Sequence, residues 1–437
     1  MTKAPIVPRM RKMSARKAAL LATLDVGASK VVCLISRLSP SGGDATNGSR
    51  SHHCRILGVG HQKSRGVKAG AVVDLDSAER SIRLAVDSAE RMAGVEVRHV
   101  IVNISGGRLA SQRRRGDTAL HGRPISEVDI HRALDSAAKP VAEANRTILH
   151  AIPTSFLIDA AHAVRDAKGM LGETLAAEMN FVSSDSAAIR NLLLAVERCH
   201  LQASAIVASP YAAGLSTLAD DEAELGAALV DFGGGSTSVG IFSGGRLVHV
   251  DAVAVGGNHV TMDVARGLSI SLADAERLKA LHGACISSPS DDHEMIAVHK
   301  LGEDMDHPSH LPKSELVHII KPRVEEILEL VRDRIKASGF SAQSGRKLVL
   351  TGGGSQLTGL IELSRQIVSS HVRAGAPIGF EGLPEAARNP AFAVSVGLTV
   401  YPQVVGAEFS SSRPSHSPRA EPDSYVARVG RWIRESF

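Results

Sequence analysis

Two short segments far apart in the chain share one design, and this repetition narrows the possible folds more than any other feature. Leu24-Asp25-Val26-Gly27-Ala28-Ser29-Lys30-Val31 has the form of an apolar strand ending in an acid, a glycine turn, a hydroxyl and a second apolar strand. Leu229-Val230-Asp231-Phe232-Gly233-Gly234-Gly235-Ser236-Thr237-Ser238-Val239 repeats it in the second half. A β-hairpin fits each, with Gly27 expected to supply a positive φ in the first turn. Backbone N–H groups of such turns can point at phosphate oxygens, and Ser29, Lys30, Ser236 and Thr237 add hydroxyls and a charge. Asp25 and Asp231, at strand ends, are expected to face those phosphates and to hold a magnesium ion through water. Either hairpin alone is a weak sign, because an ordinary glycine-rich hairpin looks the same. Three consecutive glycines, however, cost folding entropy and pack nothing. Close backbone approach to a ligand explains them better, and two such hairpins suggest two related halves gripping a phosphate chain.

The surrounding pattern is α/β. Leu21–Asp25, Ala227–Asp231 and Lys347–Thr351 are β-branched or leucine-rich runs that end at glycine, with helical patterns between them. Residues 324–337 place Val324, Ile327, Leu328, Val331 and Ile335 on one helical face. Gly352-Gly353-Gly354 opens a turn suited to a base or a phosphate. Gly256-Gly257-Asn258 follows another apolar strand. Glu276 and Lys279, at i and i+3, share a helix face and could reach a ribose and an adenine; a solvent-exposed ion pair is the plainer alternative. The polar stretch 285–312 is expected to be an exposed insertion. Arg113-Arg114-Arg115 is expected at a solvated hairpin tip, with a protein-contact patch as the sharper reading.

The length of 437 residues implies several subdomains. Residues 1–20 hold six basic residues and no acid, and residues 413–437 hold five arginines against three acids, which leaves 39 basic and 43 acidic residues between them. A body of that sign is a poor match to a nucleic-acid backbone, and 13 aromatic residues are too few for base-stacking platforms. No nucleic-acid partner is expected. The four cysteines are scattered and suggest reduced thiols, and His52-His53-Cys54 lacks a second ligand pair. No apolar run is expected to reach membrane-spanning length.

The two ends differ from the body. Residues 1–20 are expected to be a disordered basic extension, and 406–423, rich in Ser, Pro and charge, a flexible linker. Beyond it, at 100° per residue, Tyr425, Val426, Val429, Trp432, Ile433 and Phe437 fall on one side of a helix. Arg428, Arg431 and Arg434 fall on the other. This amphipathic segment, 424–437, suits the headgroup boundary of an anionic bilayer. Docking onto the protein's own body is the alternative, and the linker argues against it.

The ordered series LDVGASKV, ALVDFGGGSTSVGIF, GGNHVTMD, DAERLK and LVLTGGGSQLTGL resembles the actin/DnaK/sugar-kinase ATPase superfamily. Within it, GGNHVTMDVARGLSISLADAERLKALHG and the terminal VGRWIRESF resemble the FtsA family, bacterial actin homologues of cell division. The resemblance implies a two-lobed actin-like ATPase fold with an inserted 1C subdomain and a C-terminal amphipathic helix. On that basis 21–97 and 179–215 form subdomain 1A, 98–178 form 1C, and 216–405 form the second lobe. The family's ATP and Mg2+ roles carry over onto Asp25, Gly27, Ala28, Ser29, Lys30, Asp231, Gly233, Gly234, Gly235, Ser236 and Thr237. They extend to Gly256, Asn258, Glu276, Lys279, Gly352, Gly353 and Gly354, with Asp25 and Asp231 toward the metal. No residue matches the water-positioning glutamine of actin, so the catalytic group is unknown and any ATPase activity is expected to be slow. The resemblance further implies polymerisation on the cytoplasmic face of the inner membrane at the septum. FtsZ filaments would be anchored through the FtsZ C-terminal tail on the second lobe, and later divisome proteins would bind through 1C. A small-molecule kinase of the superfamily and a PilM-type pilus-assembly homologue are the alternatives.

Overall fold

The structure is a computed structural model that describes residues 7–8, 10, 12–41, 51–106, 108–139, 145–160, 162–302, 308–340 and 347–409. It begins with a meander of β1 (Ala19–Val26), β2 (Lys30–Pro40) and β3 (His52–Lys63). Successive residues Val31 to Ile35 of β2 have no exposed area, so this strand is covered on both faces. The two-residue pair β4 (Val67–Lys68) and β5 (Ala71–Val72) leads to α1 (Leu75–Ala93). Asp74 caps α1 by accepting the Ser77 N–H at 3.1 Å, and Gly94 ends it at φ +68°. β6 (His99–Ile104) then returns parallel to β1, the arrangement that a helical crossover permits.

An inserted unit follows: β7 (Ala110–Ala119), α2 (Glu127–Ala137), β8 (Arg146–Ile158), β9 (His162–Val164) and β10 (Thr174–Asp185). Its strands lie in the order β7-β10-β8-β9, all antiparallel, over a small core that includes Leu120, Leu134, Phe156 and Met179. After α3 (Ser186–Arg198), β11 (Gln202–Ala208) completes the first sheet, β11-β6-β1-β2-β3.

α4 (Ser209–Thr217) and α5 (Asp220–Leu225) lead into the second lobe. There, β12 (Ala227–Phe232), β13 (Thr237–Ser243) and β14 (Arg246–Val253) precede α6 (Gly257–Leu268) and α7 (Leu272–His282). A hairpin of β15 (Met295–Val298) and β16 (Ser309–Pro312) comes next, then α8 (Lys313–Ala337), β17 (Lys347–Thr351), α9 (Leu360–Ile367) and β18 (Val372–Ala374). The main sheet runs β18-β17-β12-β13-β14 and continues into the inserted unit through one β14–β7 pairing, Asp251 with Ala110. Counted from its own first strand, each lobe's sheet has the order 5-4-1-2-3. In each, strands 1 and 2 are antiparallel and 1 and 4 parallel. The two acidic hairpins therefore occupy the same place in equivalent sheets.

α10 (Ala393–Val404) closes the molecule. It packs on β1, β2 and β6, α4 packs on β12 and β13, and the two helices pack on each other between the sheets. They approach so closely that a Cβ on Gly397 would stand 1.7 Å from the Ala212 carbonyl oxygen.

Several expectations change here. The inserted unit starts after β6, not at residue 98, because β6 belongs to the first sheet; it ends with β10 at 185. The second lobe ends near Ala374 rather than 405. From there the chain returns to the first lobe, where the Ile56 N–H of β3 donates to Glu381 O (2.9 Å). Residues 1–20 are not wholly an extension: Val7 is buried in the first core, Met10 and Met13 pack against it, and β1 starts at Ala19. Basic neighbours mask that apolar spacing in the sequence. Within 285–312, β15 and β16 pair antiparallel, and Cys285, Ile296, Val298 and Leu311 are buried in the second core. Arg113 to Arg115 sit inside β7, paired with Asn180 to Glu178 of β10, not at a hairpin tip. Pro390–Ala407 has the length and mean hydropathy (1.3) of a membrane span, contrary to the sequence expectation, yet 61% of it is buried inside the protein. Residues 406–409 are ordered against the body, with the Phe409 N–H donating to Ala151 O at 2.8 Å. The remaining linker and the segment 424–437, with all the side chains expected to face a membrane, lie outside the described residues.

Candidate functional site

The two hairpin turns meet across a cleft of about 460 Å³, within the range of small-molecule sites. The first turn is closed by Gly27 N–H to Lys30 O at 3.0 Å, and the second by Gly233 N–H to Ser236 O at 3.0 Å. Gly27 does not adopt positive φ, contrary to expectation. A Cβ there would stand 3.1 Å from Lys30 O, a tight approach that the turn could take only by a small shift. The second triplet is small for a different reason. A Cβ on Gly234 would stand 2.8 Å from Ser29 Cβ, and one on Gly235 2.7 Å from Ala28 Cβ. The lobes thus touch glycine against side chain at their turns. Positive φ appears in the third triplet, at Gly352 (+83°), where a Cβ would stand 2.4 Å from Asp231 Oδ1.

Asp25 and Asp231 lie at the floor, 6% and 7% exposed. Asp25 accepts from Asn103 Nδ2 at 2.7 Å on one oxygen and from Ser395 Oγ at 2.6 Å on the other. Burial raises its pKa against the Lys30 charge and these donors. Burial, then the neighbouring Asp25 charge, pushes Asp231 up to about 7, with Lys30 opposing. Lys30 is pushed down by burial and held up by both carboxylates. Its ammonium donates to Ala391 O and sits 4.0 Å from the Phe392 ring centre. Two buried carboxylates share one buried cation, so ionising both would leave an excess of negative charge in low dielectric, and burial resists that.

Such a floor fits a hard divalent cation. Among the described residues no cluster of three or more His, Cys, Asp or Glu could hold a metal by itself. A magnesium ion here would need oxygens from water and from a ligand's phosphates, which matches its usual habit. Asp25 and Asp231 are the residues that would hold it.

All other residues assigned from sequence to the nucleotide site line the cleft except two. Thr237 is fully buried and donates to Val255 O at 2.8 Å. Gly256 lies behind the second turn, where a Cβ would stand 2.5 Å from Gly233 O. Gly257 and Asn258 N–H groups donate to Gly233 O (3.0 Å) and Gly234 O (2.7 Å), so the start of α6 braces that turn. Glu276 and Lys279 lie on the far wall, paired at 2.7 Å. Lys279 also donates to Thr261 Oγ1 (2.7 Å) and Gly257 O (3.1 Å). Burial raises the Glu276 pKa, but the Lys279 hydrogen bond and charge outweigh it and the net shift is downward. The pair is thus both an ion pair and part of the wall.

The sequence reading misses Asn103, Ser209 and Ser395. Asn103 also accepts the Val26 N–H at 2.7 Å and donates to Ser209 Oγ at 3.1 Å, tying β6, β1 and α4 together beneath Asp25. A lone amide within the apolar run HVIVNI is the signal that could have revealed it.

The family profile described as "Cell division protein FtsA" matches residues 228–397, and one described as "SHS2 domain inserted in FTSA" matches 106–183, in accord with the inserted unit's observed start. A cell division protein FtsA of Rhizobium meliloti is 44% identical over 99% of this chain and 98% of its own length. One from Agrobacterium fabrum is 45% identical over the same shares, and one from Pseudomonas aeruginosa is 32% identical over 97% and 100%. Among solved structures, the PilM-PilN type IV pilus biogenesis complex superposes with a TM-score of 0.58 at 16% identity, covering 88% of this chain and 98% of that one. That likeness speaks to the fold alone.

Proposed function

The chain belongs to the FtsA family of cell division proteins, and from that premise we propose that it is an ATP-binding, actin-like adaptor. It polymerises at the cytoplasmic face of the inner membrane, anchors FtsZ filaments at the septum and helps assemble the septal ring. The observation that carries this reading is the pair of acidic hairpins meeting across one cleft from two equivalent sheets.

In this reading the turns at Gly27–Lys30 and Gly233–Ser236 hold the triphosphate from opposite lobes. Gly352 to Gly354, Asn258, Glu276 and Lys279 hold the nucleoside. A bound Mg2+ would offset the triphosphate charge beside Asp25 and Asp231. Because each turn belongs to a different lobe, a ligand touching both favours the closed arrangement, and closure sets filament competence. The segment 424–437 then places the filament on anionic lipid, where many weak insertions on one polymer add in avidity. FtsZ's C-terminal tail binds the second lobe, and later division proteins bind the inserted unit.

The test is co-sedimentation with FtsZ and anionic liposomes, with and without Mg·ATP, comparing the intact chain with one ending at residue 423. ATP-dependent recruitment of FtsZ by the intact chain alone is expected. Substrate-dependent ADP release at about 1 s⁻¹ or faster with a small metabolite would instead identify a kinase.

A further inference from the structure

The basic N-terminal stretch, given no role above, has a definite address on the body. A Cβ built on Gly406 would come within 2.5 Å of Lys12 Cδ, so the Lys12 stem lies across the chain just after α10. Further on, His52 Nε2 lies 3.1 Å from Lys17 O, while the His52 N–H donates to Gln403 Oε1 at 3.1 Å. Two separate contacts therefore hold residues 12–17 over the C-terminal end of α10. Val7, buried at 5% exposure, together with Met10 and Met13, fastens the segment's other side to the core. The described chain ends at Phe409, three residues after Gly406. Lys12, Arg16 and Lys17 are all exposed, and among the described residues none forms an ion pair with a carboxylate. A long cationic side chain can keep its stem on protein and its charge in water.

We propose that Lys12, Arg16 and Lys17 form a second contact with anionic lipid headgroups, beside the exit of the C-terminal segment. The proposal rests on the membrane reading of 424–437 and adds an electrostatic foot to it. A basic segment that itself carries no acid, held next to the last described residues before an amphipathic tail, would reach the bilayer plane that the tail enters. The body between the termini, with its acidic excess, is kept off that plane. Nucleic acid is the other polyanion such a patch could meet. The apolar stripe of the adjoining tail has no use there, and aromatic platforms are scarce.

The experiment uses the full chain and a full-length variant carrying Lys12→Gln, Arg16→Gln and Lys17→Gln. Each is co-sedimented with vesicles containing phosphatidylglycerol and with vesicles of phosphatidylcholine alone. One basic side chain near an anionic surface contributes up to roughly fivefold in partitioning. The triple variant is therefore expected to bind phosphatidylglycerol vesicles at least about tenfold more weakly at roughly 0.1 M salt. The gap is expected to close near 1 M salt, where screening is nearly complete. Phosphatidylcholine binding and ATP affinity are expected not to change. Equal binding of variant and parent to the anionic vesicles, while a chain ending at residue 423 is released, would overturn the second contact and leave the tail reading standing. If the chain ending at 423 stays bound as tightly as the parent, the tail reading itself fails. A variant that loses duplex-DNA binding but keeps vesicle binding would assign the patch to nucleic acid and overturn the proposal.

Discussion

At the scale of single residues, the cleft floor is where charge and burial conflict. Asp231 holds its proton up to about pH 7 in the folded, ligand-free chain, whereas an unfolded carboxyl releases it near 3.8. The folded state therefore binds more protons between those values, and stability falls as pH rises through that window. The contribution is fully present below about pH 4 and lost above about 7, and it amounts to at most about 4 kcal/mol. Asp231→Asn is expected to flatten this slope, seen as a Tm of the ligand-free chain that changes less than the parent's across the window, and to abolish Mg·ATP binding. Asn103→Ala should cost about 2–4 kcal/mol in denaturant unfolding, because it removes at once the buried bonds to Asp25 Oδ1, to Ser209 Oγ and from the Val26 N–H. The sequence reading identified Asp25 and Asp231 because acids at apolar strand ends before glycine are conspicuous. It missed Asn103 and Ser395 because their significance lies in a partner from another strand or helix, 78 and 370 positions away in the chain.

Among the elements, the two turns depend on what each lacks. Gly235→Ala would place a methyl 2.7 Å from Ala28 Cβ and 2.9 Å from Ala69 N, across the lobe boundary. Overpacking of this kind costs about 1–3 kcal/mol. It acts on the closed arrangement, so ATP affinity is expected to fall about tenfold or more, with a smaller change in Tm; a fluorescent-nucleotide titration measures it. The hairpins were legible because strand, acid and glycine are local signals. Why the glycines are needed was not, since the first turn was expected to use positive φ and instead uses close approach. α8 shows another limit. Its periodic face was legible from Val324, but Pro322 reads as a stop, and the helix runs through it from Lys313. The pairing of β15 and β16 within the expected exposed insertion 285–312 is not legible, because its strands have four residues each and too little periodicity to register.

For the molecule as a whole, the repeated sheet order could be suspected from the repeated hairpins. Where the lobes divide could not. β6 and α10 join the first lobe through parallel pairing and helix packing, neither of which leaves a mark in the local pattern. Removing residues 424–437 is expected to leave ATP affinity within about twofold of the parent, since the cleft lies wholly within the described body, and to release the chain from anionic liposomes. Isothermal titration and sedimentation measure the two effects on the same preparation. Persistent sedimentation of the shortened chain would count against the tail as anchor.

The chain's path out of the body decides how it bears mechanical tension. The last described residues are fastened to the inserted unit by the Phe409 N–H on Ala151 O and by Glu408 against the buried His150 at 3.0 Å. α10 just before them runs back to Ser395, which grips Asp25. If the tail is tethered as proposed, a pull on it would load these bonds and the helix seated between the lobes before the second lobe's outer hairpin and helices. Under that proposal, force entering through the tail would reach the contact between the lobes before it reached either sheet.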